Sequence, residues 1–458
     1  MLNWRSSWRW GWGALVAGVL VLFASVPTAL AFCGFYVAQA DGSLYNQASQ
    51  AIIARDGDRT ILTMANDYQG ELQDFAMVVP VPTLLSEEQV RVGDPEIITR
   101  LDRFSAPRLV EYFDRNPCEV RTFEDGLFRR QESVLPQSAA PAPTAAADLG
   151  VTVEAEFTVG EYDIVILSAK ESKGLETWLR RNNYKLPRGA RELLAPYIRQ
   201  NMKFFVAKVN LEEFAASETQ KLRPLMMAFE SPKFMLPIRL GMLNANGPQD
   251  LLVYLLSPKG QVELTNYRTV KVPSDAEIPE YIKADEEFPS FYKAMFENAY
   301  NRQGKNAAFL EYAWDIAKCD PCTSQPPTPE ELRKAGVFWL SDPSSNPNGR
   351  FWGGAGGQTY ITRLHVRYTR DKFPQDLMFQ ETNNRESFQG RYIIRHPFRG
   401  EANCDAATAY RRQTRDRQEK EILTLAQLTD WSPNEIRDRV DLISLNPESQ
   451  PWWRSIWN

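Results

Sequence analysis

From Val151 to Pro273 the sequence keeps returning to one pattern, and that pattern limits what the chain can build. In "VTVEAEFTV", Val151, Val153, Ala155 and Phe157 alternate with Thr152, Glu154, Glu156 and Thr158, the two-residue period of a half-buried strand. Gly160 breaks the run, and "YDIVILSA" follows as a second strand, apolar on both faces. "GLETWLRRNNY" and "ARELLAPYIRQNM" carry helical spacing. The chain then returns to strand in "KFFVAKVNL", "LRPLMMAFES", "FMLPIRLGML", "QDLLVYLLS" and "QVELTNYRTVKVP". Strands, two helices and a further run of strands describe an α+β fold with a largely antiparallel sheet. At 458 residues the chain exceeds one ordinary domain, so one large or two moderate domains are expected.

The flanking regions add elements to this frame. "SQAIIARDGDRTILTMAND" is a hairpin turning at Asp56-Gly57, and "FAMVVPVP" is a third strand whose Pro80 and Pro82 confine its far end to a sheet edge or exit. "DPEIITRLDRFSAPRLVEYFD" reads as helical, with Ile97, Ile98 and Leu101 on one face and Leu109, Val110 and Phe113 on another. "FPSFYKAMFENAY" and "NAAFLEYAWDIAK" read as amphipathic, aromatic helices packed into the core, and "EELRKAGVFWL" as a helix followed by a strand. "TYITRLHVRYT" and "GRYIIRHPF" are late strands, separated by "DLMFQET". The end of the chain is charged and helical, with a helix start at Ser432-Pro433-Asn434-Glu435. The expected organisation is a leader over 1–31, a β-rich part over 32–134, a Pro/Ala-rich linker over 135–150, a main α+β part over 151–404 and a charged helical tail over 405–458.

The leader has Arg5 and Arg9 before the uncharged run "GALVAGVLVLFASV", and Ala29 and Ala31 supply the small-x-small pattern for cleavage after Ala31. The expected location is therefore outside the cytoplasm: periplasmic or extracellular, or the thylakoid lumen in a photosynthetic source. Trp10 to Ala31 is just long enough to span a bilayer, so an anchored form is the alternative. Phe32 before Cys33 is too large for lipoprotein cleavage. The formal charge is -5, and losing Arg5 and Arg9 makes it -7, so no basic excess draws the chain to nucleic acid. Membrane contact is expected only through an uncleaved leader or through "PWWRSIWN", with Trp452, Trp453 and Trp457.

Export changes the reading of Cys33, Cys118, Cys319, Cys322 and Cys404, because oxidising compartments favour disulfides. Five is odd, so one thiol is left over. Cys33 with Cys118 is the expected bridge, and Cys319 and Cys322 of "CDPC" pair with each other or with Cys404. A redox role for CDPC is disfavoured by position. The motif follows a helical pattern instead of opening a helix, where the dipole would favour a thiolate. Four-sulfur zinc needs two such pairs, and only one is present.

A second candidate is the basic stripe Arg363, His365 and Arg367, alternating with Leu364, Val366 and Tyr368. "GRYIIRHPFRG" adds Arg391, Arg395, His396 and Arg399. If these strands pair, the stripe is an anion-binding face for a carboxylate, phosphate or acidic glycan. The simpler reading is a solvated face whose arginines pair with acidic neighbours. "WGGAGGQTY" lacks the Lys-Ser/Thr and the helix of a phosphate cradle and reads as a loop. Glu154 and Glu156 share a strand face, a glycosidase-like geometry more often met on solvated strands. Neither a Gly-x-Ser-x-Gly elbow nor zinc-type histidine spacing occurs, and no cofactor or metal is implied.

Several stretches, in order, resemble one bacterial family, domain of unknown function 2330. They are "FCGFYVAQAD", "DRTILTMANDYQG", "VVPVPT", "SAPRLVEYF", "VGEYDIVILSA", "SPKFMLPIRLG", "QDLLVYLLS", "TNYRTVKVP", "EYAWDIAKCDPC" and "TRLHVRYTRD" with "DLMFQET". They cover nearly all of the mature chain up to about Cys404. The resemblance implies an exported bacterial protein and supplies no catalytic residue, cofactor or substrate. The functional expectation is a disulfide-stabilised envelope module that binds or supports instead of catalysing, with an envelope protein or a glycan as its partner class. The alternatives are a thiol–disulfide enzyme at Cys319 and Cys322, and a hydrolase or binder of an anionic or glycan ligand at the basic stripe.

Overall fold

The computed structural model describes residues 35–36, 49–65, 76–119, 151–182, 189–216, 222–243, 247–284, 286–318, 320, 325–340 and 358–445. The leader, Cys33, the Pro/Ala-rich break, Cys319, Cys322, the glycine run and the tryptophan-bearing end lie outside the described residues.

A five-stranded antiparallel sheet runs in the order β1 (Phe35–Tyr36), β4 (Ala76–Val81), β9 (Lys203–Val209), β8 (Tyr162–Ala169), β7 (Val151–Val159). Its inner strands β4, β9 and β8 are largely apolar on both faces because both are covered. Val79, Ile164, Ile166 and Phe205 point to a second sheet, while Val78, Leu167, Phe204 and Val206 meet helices α2 (Ser172–Arg181) and α3 (Ala190–Arg199). The alternation read in β7 is broken by a bulge at Glu154, which has no partner in β8. Val153 therefore lies opposite Leu167, but Ala155 lies opposite Ile166, so the strand changes faces midway. Glu156 lies opposite Val165 toward the helices, so Glu154 and Glu156 do not share a face, contrary to the simple alternation.

The second sheet has nine strands. Its order is β14 (Arg268–Lys271), β16 (Ala307–Asp315), β17 (Tyr360–Tyr368), β12 (Gln249–Ser257), β2 (Ser49–Asp56), β3 (Arg59–Met64), β10 (Leu225–Glu230), β5 (Val90–Val92), with β19 (Phe388–Gln389) also on β16. The hairpin turns at Gly57, whose φ of 60° suits a residue without a Cβ. Ala51, Ile53, Leu251, Val253, Leu255, Leu364 and Val366 line the core between the two sheets. Most joins are antiparallel, but β2 runs parallel to β12 and β14 to β16. "FAMVVPVP" is β4 of the five-stranded sheet, not a neighbour of the hairpin. Two smaller sheets complete the set: β11 (Met235–Leu236), β18 (Leu377–Glu381), β13 (Val262–Leu264), and the parallel trio β15 (Ala276–Glu277), β20 (Arg391–His396), β6 (Arg108–Phe113).

Two helical expectations are overturned. "NAAFLEYAWDIAK" holds the strand β16, paired on both edges and buried from Ala307 to Ala313. A short apolar run buried on both faces has no amphipathic signature, and its alanines mimic a helix. Leu109, Val110 and Phe113 lie in β6, because α1 (Pro95–Ser105) stops before Pro107 and Ala106 is extended, with ψ 147°. Two strand expectations shrink as well: "FMLPIRLGML" holds only the two residues of β11, and Val337 to Leu340 join no ladder.

The outer face of the nine-stranded sheet carries the remaining helices. α1 and α6 (Pro329–Lys334) cover Ile52, Tyr254 and Ile361. α5 (Glu287–Arg302) packs over Phe309 and joins α7 (Asp405–Thr429) and α8 (Pro433–Arg439) in one apolar cluster with Tyr392 and Ile394. α4 (Leu211–Ala216) is a short surface helix. Ser432 is the N-cap of α8 with Pro433 at its first turn, though the Ser432 side chain makes no capping bond.

Candidate functional site

β17 presents Arg363, His365 and Arg367 on the outer face, as its period requires, but none of them faces open solvent. A second bulge, in β16, leaves Glu311 without a Cα partner and turns its carboxylate onto that face. The result is a continuous charged chain. Arg363 Nη1 lies 2.8 Å from Asp102 of α1, and its Nε donates to Glu311 Oε2 at 2.6 Å. His365 Nδ1 is 2.9 Å from Glu311 Oε1 and its Nε2 is 2.9 Å from Asp250 Oδ1. Arg367 grips Asp250 with two nitrogens at 2.8 Å and pairs onward with Glu297 of α5. Phe296 of α5 lies flat on the imidazole, and Tyr292 of the same helix donates to Glu311.

Electrostatics follow from this packing. Burial alone would raise the Glu311 pKa, but Arg363 and His365 outweigh it and hold the carboxyl at about 2. Asp250 is held low in the same way by His365 and Arg367, again against its burial. Burial opposes a charged His365, yet Glu311 and Asp250 raise its pKa above the ordinary value. Tyr254, which donates to Asp102 at 2.8 Å, is pushed up mainly by burial. The stripe's cations are thus committed to internal carboxylates. Their work here is to tie α1, β12, β16, β17 and α5 together.

The other half of the sequence-derived face lies elsewhere, since β17 and β20 belong to different sheets. On β20, Arg391 pairs with Asp275, and Arg395 Nε donates to Glu277 at 2.6 Å. His396 repeats the His365 arrangement. Its Nδ1 is 2.8 Å from Glu280, its Nε2 is 2.7 Å from Glu111, and Phe113 stacks on the ring at 4.3 Å. Arg399 reaches Asp441 at 2.6 Å.

Beside β20, α7 and the end of α8 form a partly open cavity of about 260 Å³, whose lining includes Tyr281, Arg395, Arg399, Gln418, Glu421 and Arg439, together with Glu280, Val440 and Asp441. Glu421 was missed in the sequence. Its signal is position: it falls with Thr414, Gln418, Ile422, Leu425 and Thr429 on the buried stripe of α7. Burial raises its pKa to about 7, although Arg417 works the other way. A larger open groove, of about 1050 Å³, runs past Arg59, Leu84, Glu154, Phe229 and Phe338. None of its lining side chains carries a buried polar atom without a partner. Glu154 itself takes a bond from Ser168 and lies 3.9 Å from Lys203.

Cys118, after β6, bonds to Cys404, the N-cap of α7, across 286 positions. This corrects the expected partnership of Cys118 with Cys33, and it removes Cys404 as a partner for CDPC. Spacing carried no information about it, because β6 and α7 are brought together by β20 and the α5–α7 cluster. CDPC follows a strand instead of a helix end. Asp320 at its centre accepts from Tyr312 and from Gln389, both at 3.0 Å, which ties that residue to β16 and β19. Among the described residues no group of three His, Cys, Asp or Glu is disposed to hold a metal, and no helix is long and apolar enough to cross a membrane.

A family model described as an uncharacterised protein conserved in bacteria, DUF2330, matches residues 27–380. No curated protein and no solved structure matches the chain. β20, α7, α8 and Cys404 lie beyond the matched stretch.

Proposed function

This chain belongs to the bacterial DUF2330 family, and from that premise we propose that it is exported to an oxidising envelope compartment, where it serves as a disulfide-closed binding module. The observation that carries the reading is the Cys118–Cys404 bond. Such bonds persist where glutathione and thioredoxin do not reach, and the chain begins with a cleavable leader pattern. The bond also ties β6, inside the family-matched stretch, to α7, outside it. Closing so long a loop constrains the unfolded chain by up to about 5 kcal/mol. The non-enzymatic part of the reading is supported by the β17 chain, where each cation is already held by an internal carboxylate.

The test is expression of the full chain in a bacterial host, followed by fractionation, intact mass and a non-reducing peptide map. A mature protein lacking residues 1–31, recovered outside the cytoplasm with a Cys118–Cys404 peptide, is expected. A full-length product in the cytoplasm with Cys118 and Cys404 reduced overturns it. In the same map, a Cys319–Cys322 bond that exchanges with a small dithiol while Cys118–Cys404 stays intact would replace the module by a thiol–disulfide enzyme.

A further inference from the structure

We propose that the cavity between β20, α7 and α8 is a binding site for a neutral, hydroxyl-rich ligand, a single saccharide unit. It deepens the binding reading above and rests on it. Two buried polar atoms on the cavity's lining have no hydrogen-bond partner, Tyr281 Oη and Glu421 Oε1. Glu421 is only 4% exposed, and its Oε1 lies 3.3 Å from Arg417 Nε without accepting a hydrogen bond. The two form an ion pair outside hydrogen-bond geometry, and a carboxylate oxygen with two lone pairs keeps capacity for a further donor from the cavity.

The chemistry of the lining selects the ligand class. Arg395 spends only its Nε on Glu277, and Arg439 spends Nη2 on Glu287 while its guanidinium lies 4.2 Å over the Tyr281 ring. Both guanidinium groups keep further N–H donors for the cavity. Gln418 is committed, donating to Asp441 O and accepting from Ile443 N, so it is a fixed wall. The lining therefore offers both spare donors and acceptor capacity. A sugar hydroxyl both accepts and donates, and vicinal hydroxyls match that pairing. A strong anion matches it less well, because Arg395, Arg399 and Arg439 are already balanced by Glu277, Glu280, Glu287 and Asp441. The volume, slightly below the range of drug-sized pockets, limits the ligand to one ring. A Glu421 carboxyl that titrates near neutrality can meet a hydroxyl as acceptor or as donor.

Saturation-transfer NMR on the full oxidised chain tests the site, with galactose and N-acetylglucosamine as neutral probes and glucuronate and inorganic phosphate as charged ones. At least one neutral sugar should give a saturating signal, weakened about tenfold or more in Glu421→Leu and in Arg395→Gln. Circular dichroism melts of both variants check the fold, and Arg395→Gln, being partly exposed, keeps the test alive if Glu421→Leu misfolds. No signal from either sugar, or equal signals in wild type and Arg395→Gln, overturns the proposal. Binding of glucuronate or phosphate alone overturns the neutral class. None of these outcomes depends on export or on the disulfide, so failure here leaves the compartment reading standing.

Discussion

The imidazole of His365 lies on the ring of Phe296 with centroids 3.8 Å apart and planes 13° from parallel, and each of its nitrogens faces a carboxylate. Neutral imidazole has one N–H, so meeting both Glu311 and Asp250 requires both nitrogens to donate and the ring to be charged. Its folded pKa is raised above the unfolded value of 6.5. The folded state therefore holds the proton more tightly, and the resulting stabilisation is complete below pH 6.5 and is lost as pH rises through the raised value. Urea midpoints measured from pH 6 to pH 9 should fall across that window in the wild type. In His365→Gln the fall should be smaller. An identical slope in both proteins would remove the charged bridge.

Glu311 supplies the acid limb of the same network. Its pKa drops from 4.5 to about 2 on folding, so its contribution is present above 4.5 and is lost as pH falls toward 2. Glu311→Gln at neutral pH leaves Arg363 without its buried counter-charge and His365 with one carboxylate. Breaking a buried pair in this way costs about 3–5 kcal/mol. Chemical denaturation gives that figure directly, and a loss below about 1 kcal/mol would mean water reaches the pair.

Much of the frame was legible from local physics: β7 was marked by its side-chain alternation, and β8, β9, β10 and β12 by short apolar runs between breaks. The helix–strand confusions came where that physics is silent. β16 is buried on both faces, and β6 is a strand only because β20 lies beside it. The bulges at Glu154 and Glu311 were equally hidden, since an extra residue in a ladder depends on the partner strand. Arg363, His365 and Arg367 were found as a stripe, but their partners come from four other elements. Pairing of Cys118 with Cys404 and burial of Glu421 both depend on where α7 lands, which its charged sequence does not announce.

The disulfide should behave as one unit. Cys118→Ser and Cys404→Ser should each lower stability by about 2–5 kcal/mol, and the double variant should lose no more than either. The loss should match the effect of a reductant on the wild type if no other bridge matters. Denaturant midpoints with and without reductant measure all four cases, and additive losses would show that the two sulfurs act separately.

The disulfide and the apolar cluster hold opposite ends of α7, so they should protect different amides. Near its start the helix buries little beyond Ala407 and Thr414, and it is fastened by Cys404 and by Arg417, which pairs with Asp114 at 2.8 Å. Its second half places Ile422 and Leu425 among Phe291, Met295 and Ile436. Reduction should therefore speed hydrogen exchange over about Ala407 to Asp416 and leave Ile422 to Thr429 slow. Leu425→Ala removes core packing worth about 2–5 kcal/mol and should speed exchange along the whole helix and in α8. Uniform exchange in the reduced wild type would show instead that α7 opens as a single unit, with the cluster alone deciding its stability.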